Sequence, residues 1–465
     1  MLTYNIENKG KTPLYIYLYN CIKSDIENGV IKSNNKLPSK RNLAEHLKIS
    51  VMTVQNAYAH LLSEGYIYSR EKSGYFASAL EKTIVTTATK TKITGILEET
   101  TPAYFMDFCE NSINIESFPY SIWSKQMREV LYERDHDLLR KMPSVGVLKL
   151  RKAISDFLYH FRGMSVSPEQ IIIGAGTEYL YSLLIKLLGK DKIYAVEDPG
   201  YKRIAEIYKS ENARYEHINL DAFGISIDEL TKSDTDIVHI SPSHHFPTGI
   251  VMPVKRRKEL LKWANEDSNR FIIEDDYDSE FRFTGKSVPT LQSIDDNKKV
   301  IYINTFSKTI SPAIRISYMV LPDSLLLKYR QKLQFHSCTV SSFEQYTLAK
   351  FIEKGYFERH INRMRKFYKA QRDFVIKTIK NSKLGNKSKI YEENSGLHFI
   401  IKFETNLSDE EIVKQAKNHN INISCLSQYC FKQDNMKKSM IIINYSGIDI
   451  EKVESVVNTL SNIIS

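Results

Sequence analysis

The hydrophobic and polar positions of the first eighty residues predict three helices followed by a hairpin. Apolar residues recur every three to four positions in three segments, which is the spacing of an amphipathic helix. These segments are Leu14–Glu27, residues 39 to about 47, and Val51–Ser63. Beyond Gly65, apolar and polar residues alternate on both sides of a polar turn at 69–73, as in the two strands of a hairpin. This order is typical of a winged helix-turn-helix domain.

Two further changes in the pattern divide the rest of the chain. We expect the first domain at residues 11–79 and a linker at 80–103, a stretch rich in Thr and Lys without a clear apolar face. From 104 to 465 short apolar runs alternate with helical stretches, which predicts an α/β domain with a mostly parallel sheet. Within it we expect a large subdomain at about 140–320 and a C-terminal small subdomain at about 330–465.

Composition narrows the class of protein. No stretch reaches the roughly 20 apolar residues of a membrane span, and residues 1–12 lack the apolar core of a signal peptide. The five cysteines are scattered without a C-x-x-C pair, so we expect no metal site and no disulfide framework in a cytoplasmic protein. The net charge is +10, and residues 1–80, with 10 Lys and Arg against 6 Asp and Glu, hold +4 of it. This balance permits nucleic-acid binding.

The N-terminal domain offers polar side chains where a helix-turn-helix meets DNA. The second helix begins after Ser39, an N-cap residue, so its amide groups and the side chain of Arg41 can contact phosphates. The third helix is short enough to lie in a major groove, and the turn of the hairpin is basic. The candidate contacts to double-stranded DNA are Ser39, Arg41, Ser50, Thr53, Gln55, Tyr58, Arg70 and Lys72. The alternative is a protein-interaction domain whose polar groups are only solvated.

Four segments of this domain carry a specific resemblance. They are residues 37–44 (LPSKRNLA), 49–58 (ISVMTVQNAY), 61–66 (LLSEGY) and 73–76 (SGYF). Together they resemble the DNA-binding domain of GntR-type transcription regulators. One position departs from the family pattern, because Val51 stands where an arginine usually follows the serine that matches Ser50. The resemblance implies DNA binding, and the departure removes one expected contact and leaves the preferred operator open.

Four predicted strands of the larger domain end in loops whose residues could bind a ligand or react with it. These loops are residues 174–178 (GAGTE), 197–203 (EDPGYKR), 274–281 (EDDYDSEF) and 304–309 (NTFSKT). Open α/β sheets bind ligands at this edge. The first loop could cradle a phosphate at a helix N-terminus, the third crowds carboxylates that a nearby cation would stabilise, and the fourth presents Lys308 as a Schiff-base lysine. Taken singly, the first two loops could be ordinary turns, the third could be a divalent-metal site or a solvated acidic loop, and Lys308 could be a solvated lysine.

Taken together, the four loops resemble the aminotransferase-like, fold-type I domain that binds pyridoxal phosphate. A further marker is residues 241–249 (SPSHHFPTG). With the N-terminal resemblance, the chain is identified as a member of the MocR-type (GabR-like) subfamily of GntR regulators, over residues 12–460. This implies an α/β protein in which a winged helix-turn-helix precedes a pyridoxal-phosphate-dependent fold-type I domain with a mostly parallel sheet.

The resemblance also implies a role for individual residues of the larger domain. Lys308 would attach the cofactor and be the catalytic residue. Asp275 would pair with the pyridinium nitrogen, Tyr277 would hydrogen-bond the phenolic oxygen, and Tyr201 would stack on the ring. The residues that would hold the phosphate are Gly176, Thr177, Thr305 and Arg315. Arg203 would face the carboxylate of an effector.

Two departures limit the interpretation as an enzyme. Aminotransferases usually have an asparagine before Pro-Thr-Gly, where this chain has Phe246. They also carry a C-terminal arginine that clamps the substrate carboxylate, and this chain has no arginine after Arg372. Losing such a clamp weakens both the binding and the orientation of an amino acid.

We therefore expect a homodimeric transcription regulator that senses a small amine, an amino acid or pyridoxal phosphate itself. By analogy with fold-type I domains, the effector would change how the dimer holds DNA. The alternative is a catalytically active aminotransferase with an appended DNA-binding domain, which turnover of amino acids would reveal. A third possibility, a regulator that has lost the cofactor, is disfavoured by the joint retention of Lys308, Asp275 and Tyr277.

Overall fold

The computed structural model of the chain divides into two compact units, Met1–Thr101 and Pro102–Ser465. The residues that it describes are 2–10, 12–79, 104–109, 113–133, 136–285, 288–394, 396–432 and 438–464. The predicted linker at 80–103 lies outside these residues. No helix in the described part of the chain combines the length and the apolar character needed to cross a bilayer.

The N-terminal unit contains the three helices and the hairpin that its sequence pattern predicts. In chain order its elements are α1 (Leu14–Glu27), α2 (Lys40–Leu47), α3 (Val51–Ser63), β1 (Ile67–Arg70) and β2 (Gly74–Ala77). Ser39 caps α2, since its side chain accepts a hydrogen bond from the amide of Asn42 at 3.2 Å. Ser50 caps α3 in the same way, accepting from the amide of Thr53 at 3.1 Å. The two capping serines therefore fix where the paired helices begin.

One predicted DNA contact of this unit is wrong. Tyr58 lies on the face of α3 that packs against the core, and none of its side chain is exposed. Its ring meets that of Tyr75 edge to face at 5.0 Å, and its hydroxyl donates to the carbonyl oxygen of Pro38 at 2.9 Å. Because its ring is packed and its hydroxyl is bonded, Tyr58 connects α3 to the start of α2 and to the hairpin and does not face solvent.

The larger unit has fourteen strands and eleven helices among the described residues. The strands are β3 (Met106–Asp107), β4 (Ile171–Ala175), β5 (Ile193–Asp198), β6 (Arg214–Asp221), β7 (Gly224–Ile225), β8 (Ile237–Ile240), β9 (Phe271–Asp275), β10 (Val300–Thr305), β11 (Ile316–Val320), β12 (Ser388–Tyr391), β13 (His398–Phe403), β14 (Ile421–Asn422), β15 (Ser424–Cys425) and β16 (Met440–Asn444). The helices are α4 (Tyr120–Tyr132), α5 (Leu148–Arg162), α6 (Thr177–Leu188), α7 (Lys202–Ser210), α8 (Ile227–Lys232), α9 (Val254–Asn265), α10 (Asp323–Leu333), α11 (Ser342–Glu353), α12 (Tyr356–Asn381), α13 (Asp409–Asn418) and α14 (Val453–Ile464).

Eight of these strands form a mostly parallel central sheet in the order β4-β11-β10-β9-β8-β5-β6-β7. Strands β10, β9, β8, β5 and β6 run parallel to one another. Strand β11 is antiparallel to both β10 and β4, so β4 points the same way as these five. The carboxyl ends of six strands therefore meet at one edge of the sheet.

Helices cover both faces of this sheet, which explains the continuous apolar runs of its strands. In β4, Ile171 and Ile173 pack in one cluster with Leu150 of α5, whereas Ile172 packs in another with Leu184 of α6. Successive side chains of a strand point to opposite faces, so a strand covered on both sides is apolar at every position. The same alternation divides β10 between the two clusters.

The C-terminal part forms a second, smaller layer. Strands β12, β13, β16 and β15 make an antiparallel sheet in that order. Its core combines Phe399 of β13 and Ile443 of β16 with Val375 of α12 and Val456 of α14. The short strand β3 pairs with β14, so the segment that begins the larger unit is bound to the C-terminal part.

Candidate functional site

A cavity of about 520 Å³ lies at the edge where the parallel strands end. Every residue that the sequence predicted for cofactor or effector binding lines it. These residues are Gly176, Thr177, Tyr201, Arg203, Asp275, Tyr277, Thr305, Lys308 and Arg315. They come from loops distributed between residues 176 and 315 of the chain, and the sheet brings them together.

The N-terminus of α6 forms one wall of the cavity. Gly176 precedes the helix with φ +91°, a conformation that residues with a Cβ rarely adopt. A Cβ at this position would also lie 2.8 Å from a terminal nitrogen of Arg315. The glycine therefore allows the guanidinium of Arg315 to lie against the first turn of α6, whose free amide groups and positive dipole end favour an anion.

Asp275, the last residue of β9, is held by a residue of α6. The hydroxyl of Tyr181 donates to Oδ2 of Asp275, and Nε2 of His239 lies 3.9 Å from the same oxygen. No described residue offers a hydrogen bond to Oδ1 of Asp275, although this oxygen is buried. Buried acceptors are nearly always paired, so this carboxylate has capacity for one more donor at the cavity wall.

Tyr277 and Lys308 complete the inner part of the cavity. The hydroxyl of Tyr277 lies 3.3 Å from Nδ1 of His244, and burial, reinforced by Asp278, raises the pKa of the phenol well above its ordinary value. The phenol is therefore protonated at neutral pH and can donate a hydrogen bond. Lys308 is half-buried in the loop that follows β10.

Hydroxyl groups surround the end of β10 beside this lysine. Thr305 donates to Oγ of Ser307 at 2.9 Å and accepts from the amide of Ser307 at 3.1 Å and from the hydroxyl of Ser317 at 2.8 Å. This network fixes the turn between β10 and Lys308. It also presents two hydroxyl groups, those of Thr305 and Ser307, at the cavity wall.

Two arginines at the mouth of the cavity share one carboxylate. Arg203 donates to Oε1 of Glu178 at 2.7 Å, and a guanidinium nitrogen of Arg315 lies 3.7 Å from Oε2 of the same residue. All three side chains are more than 40% exposed, so these ion pairs are weak in water. The mouth is therefore positively charged, with Glu178 partly neutralising it.

Phe246 stands where the resemblance would supply a polar group, and it packs against other aromatic side chains of the cavity. Phe246 lies edge-on to Tyr201 at 5.8 Å and to Tyr429 at 5.2 Å. The last arginine of the chain, Arg372, donates to the carbonyl oxygen of Glu393 and to the carboxylate of Asp373. This side of the cavity is thus an aromatic surface.

Several residues of the cavity were not predicted from the sequence. Tyr181 lies four positions after Thr177, on the same face of α6, and His239 is the polar residue of the otherwise apolar strand β8. Both signals were visible in the sequence. A buried pair was also missed, in which Nε2 of His245 lies 3.4 Å from Oε2 of Glu197. Burial raises the pKa of Glu197 and lowers that of His245, so it favours the uncharged form of each side chain.

In the N-terminal unit, the predicted DNA contacts other than Tyr58 lie at least partly at the surface. Arg41, Gln55, Arg70 and Lys72 are exposed, as are the capping serines. Thr53 is half-buried and its hydroxyl lies 2.8 Å from that of Ser50, so these two side chains bond to each other. The guanidinium of Arg70 lies over the ring of Phe76 at 5.0 Å, which holds it against the hairpin.

Comparison with known proteins identifies a family for each unit. Residues 14–76 match the gntR family of bacterial regulatory proteins. Residues 105–460 match the family of class I and II aminotransferases, whose fold-type I domain uses pyridoxal phosphate as its cofactor. The unpaired Oδ1 of Asp275, the lysine after β10 and the anion-favouring start of α6 fit this cofactor.

Relatives carry the same two units in one chain. The HTH-type transcriptional regulator YdeL of Bacillus subtilis is 40% identical over 413 residues, 88% of each chain. The probable rhizopine catabolism regulatory protein MocR of Rhizobium meliloti is 30% identical over 470 residues, which cover 98% of this chain and 94% of that one.

Among solved structures, the kynurenine aminotransferase of Pyrococcus horikoshii, determined in complex with PMP, superposes with a TM-score of 0.68. It is 23% identical and covers 78% of this chain and 91% of that chain. This likeness shows the fold of the larger unit. With a gntR-family DNA-binding domain joined to an aminotransferase-like domain, and with full-length relatives that are regulators, the chain belongs to the MocR-type GntR transcription regulators.

Proposed function

We propose that this regulator binds pyridoxal phosphate in the 520 Å³ cavity and uses it to sense a small effector that carries an amine. The proposal is supported most directly by Asp275, because its buried Oδ1 has no hydrogen-bond donor among the described residues. Leaving such an oxygen unpaired costs about 1–3 kcal/mol. The protonated ring nitrogen of the cofactor would be the missing donor.

Each of the other residues of the cavity would then bind a different part of the cofactor. Lys308 would hold it covalently, Tyr277 would donate to its phenolic oxygen, and Tyr201 would stack on its ring. The residues that would hold its phosphate are Gly176, Thr177, Thr305 and Arg315. Ser307, whose hydroxyl is oriented by Thr305, would join this last group.

The effector site would lie at the mouth of the cavity. When bound, the cofactor supplies a reactive carbonyl group that can exchange Lys308 for another amine. Arg203 would bind a carboxylate of the effector, whether that effector is an amino acid or a related amine. Since Phe246 and the missing C-terminal arginine leave the opposite side without a clamp, the effector would bind without being oriented for proton removal.

The response would reach DNA through a homodimer in the cytoplasm. Fold-type I domains generally pair with the cofactor near their interface, and several large apolar side chains of the larger unit are exposed, among them Tyr132 and Leu139 at more than 80%. An effector that binds one arrangement of the dimer better than another shifts the population between them. DNA affinity would follow this shift.

The test is covalent fixation of the cofactor. Purified full-length protein should take up pyridoxal phosphate with a new absorbance band, and borohydride reduction should place a pyridoxyl group on Lys308, found by peptide mapping. Lys308→Ala should abolish the label. Lys328→Ala is a matched control, because Lys328 is a partly buried lysine outside the cavity that donates to the carbonyl oxygen of Leu188, and it should label fully. A label on another lysine, or none, would reject the assignment.

A further inference from the structure

The first turn of α3 exposes two large apolar side chains. Val51 is 45% exposed and Met52 is 63% exposed. The core side of the helix is formed by other residues, Val54, Ala57 and Leu61, which are fully buried. Val51 and Met52 are therefore not part of the core of the unit.

The second turn of the same exposed face has a different chemistry. Gln55 and Asn56 follow Val51 and Met52 by four positions, so each lies over its predecessor on the helix surface. Both are exposed. By contrast, the hydroxyl groups of the first turn, those of Ser50 and Thr53, bond to each other. The outer face of α3 thus begins with apolar contacts and continues with amide groups.

Positive charge occurs on both elements that flank this face. Arg41 is exposed in the first turn of α2, and Lys72 is exposed in the turn of the hairpin. Lys40 lies with its Nζ 5.3 Å from the ring of Tyr75, and that ring contacts Tyr58 of α3, so the start of α2, the hairpin and α3 adjoin. Apolar side chains flanked by cations match a groove between two phosphate backbones.

We infer that Val51 and Met52 read the C5-methyl groups of thymines in the major groove of the operator. In that groove the thymine methyl is the one apolar group among hydrogen-bonding edges. A side chain such as Val51, which cannot donate or accept, discriminates there only by contact with that methyl. Gln55 and Asn56 would then contact adenine, whose N6 and N7 suit an amide. The inference rests on DNA binding by the N-terminal unit and adds that each half-site is rich in A·T pairs.

The experiment removes one methyl group at a time. Full-length protein loaded with pyridoxal phosphate selects its preferred duplex from a random library. Each thymine of that duplex is then replaced by deoxyuridine, which pairs identically but lacks the methyl. At one or two thymines of each half-site the dissociation constant should rise about fourfold, which is the effect of leaving one methyl group unburied. Replacement at the remaining thymines should change nothing.

Variants show which side chain makes the contact. Val51→Ala and Met52→Ala should each weaken binding to the thymine duplex and abolish the deoxyuridine effect at one position. Val51→Arg should shift the preference there toward guanine, whose O6 and N7 accept from a guanidinium. Val30→Ala is the control, since Val30 is 70% exposed outside α3, and it should bind as the unchanged protein does.

Three results would overturn the inference. They are selected half-sites without thymine, deoxyuridine without effect at any position, and Ala variants that keep both affinity and methyl discrimination. If Val51→Ala and Met52→Ala instead lower the melting temperature or change the oligomeric state while the affinity for DNA stays the same, the two side chains pack against protein and do not read DNA. Selection of no sequence at all would reject DNA recognition itself, which separates that failure from the others.

Discussion

Single residues of the cavity work by holding other residues in place. Asp275 presents one oxygen to the cavity because Tyr181 holds the other, and Thr305 positions the loop before Lys308 through three hydrogen bonds to serines. These supporting contacts come from α6, β10 and β11. An electrostatic contact to the cofactor is worth most when its partner is already oriented.

Changing Tyr181 to phenylalanine tests this support. Removing its hydroxyl leaves Oδ2 of Asp275 without its donor, and a hydrogen bond to a charged group contributes about 1.5–3 kcal/mol. We expect pyridoxal phosphate affinity, measured by absorbance titration, to fall about tenfold or more.

The control for that variant is Tyr194→Phe. Tyr194 is also a buried tyrosine, and its hydroxyl donates to the carbonyl oxygen of Gly189, outside the cavity. Its loss should lower stability and leave the affinity for the cofactor unchanged. Equal affinities for Tyr181→Phe and the unchanged protein would mean that Tyr181 does not orient Asp275.

Prediction from the sequence also succeeded or failed at the level of single residues. Strand-end loops were predictable because apolar runs mark strands and polar residues mark their ends, and the sheet does bring Lys308 and Asp275 to one cavity. The burial of Tyr58 was predictable, because this residue lies four positions after Val54 and three before Leu61, on the apolar face of α3. Only the fold shows which residues it contacts, namely Tyr75 and the carbonyl group of Pro38.

At the scale of elements, the two paired helices of the N-terminal unit differ in what they offer. Helix α2 is short, capped by Ser39, and carries Arg41 in its first turn. Helix α3 is longer and carries the exposed amide side chains of Gln55 and Asn56. A helix whose first turn contacts phosphates positions its domain on the duplex, whereas a helix that lies in the major groove contacts the bases.

Substitutions in α2 and in α3 should therefore have different effects on DNA binding. Arg41→Ala should weaken binding to all duplexes and reduce the salt dependence of the affinity, because one phosphate contact is lost. Gln55→Ala should change the preference among duplexes, by about 1–3 kcal/mol at one base pair. The measurement is fluorescence anisotropy at several salt concentrations with operator and scrambled duplexes. Unchanged affinity and preference in both variants would exclude α3 as the reading helix.

At the scale of the whole molecule, the domain order was readable from the sequence, because each unit has its own hydrophobic pattern. The pattern predicted the mostly parallel sheet. It did not predict that β11 would run antiparallel between β10 and β4. The direction of a strand depends on the length and path of its connections, which periodicity does not encode.

The larger unit should bind amines without turning them over efficiently. Good positioning supplies about 7–11 kcal/mol of a barrier, and this chain has no arginine after Arg372 that could form a second carboxylate clamp. With common pairs of amino acid and keto acid we expect turnover far below the usual enzymatic range of about 1–1000 per second. Small amines should nevertheless change the absorbance of the cofactor and the affinity for DNA. Steady-state conversion within the enzymatic range would favour the alternative, a working aminotransferase with an appended DNA-binding domain.

The carboxylate of Glu178, which lies close to both Arg203 and Arg315, would compete with an anionic effector at the mouth of the cavity. If an anionic effector binds Arg203, as we propose, it would compete with this carboxylate for the guanidinium. Since an exposed ion pair contributes at most about 1 kcal/mol, the displacement raises the concentration threshold for a response only several-fold. Under that proposal, Glu178 would act as the counter-charge of Arg203 while the effector is absent, and a response would begin at a several-fold higher effector concentration than for an arginine without an ion pair.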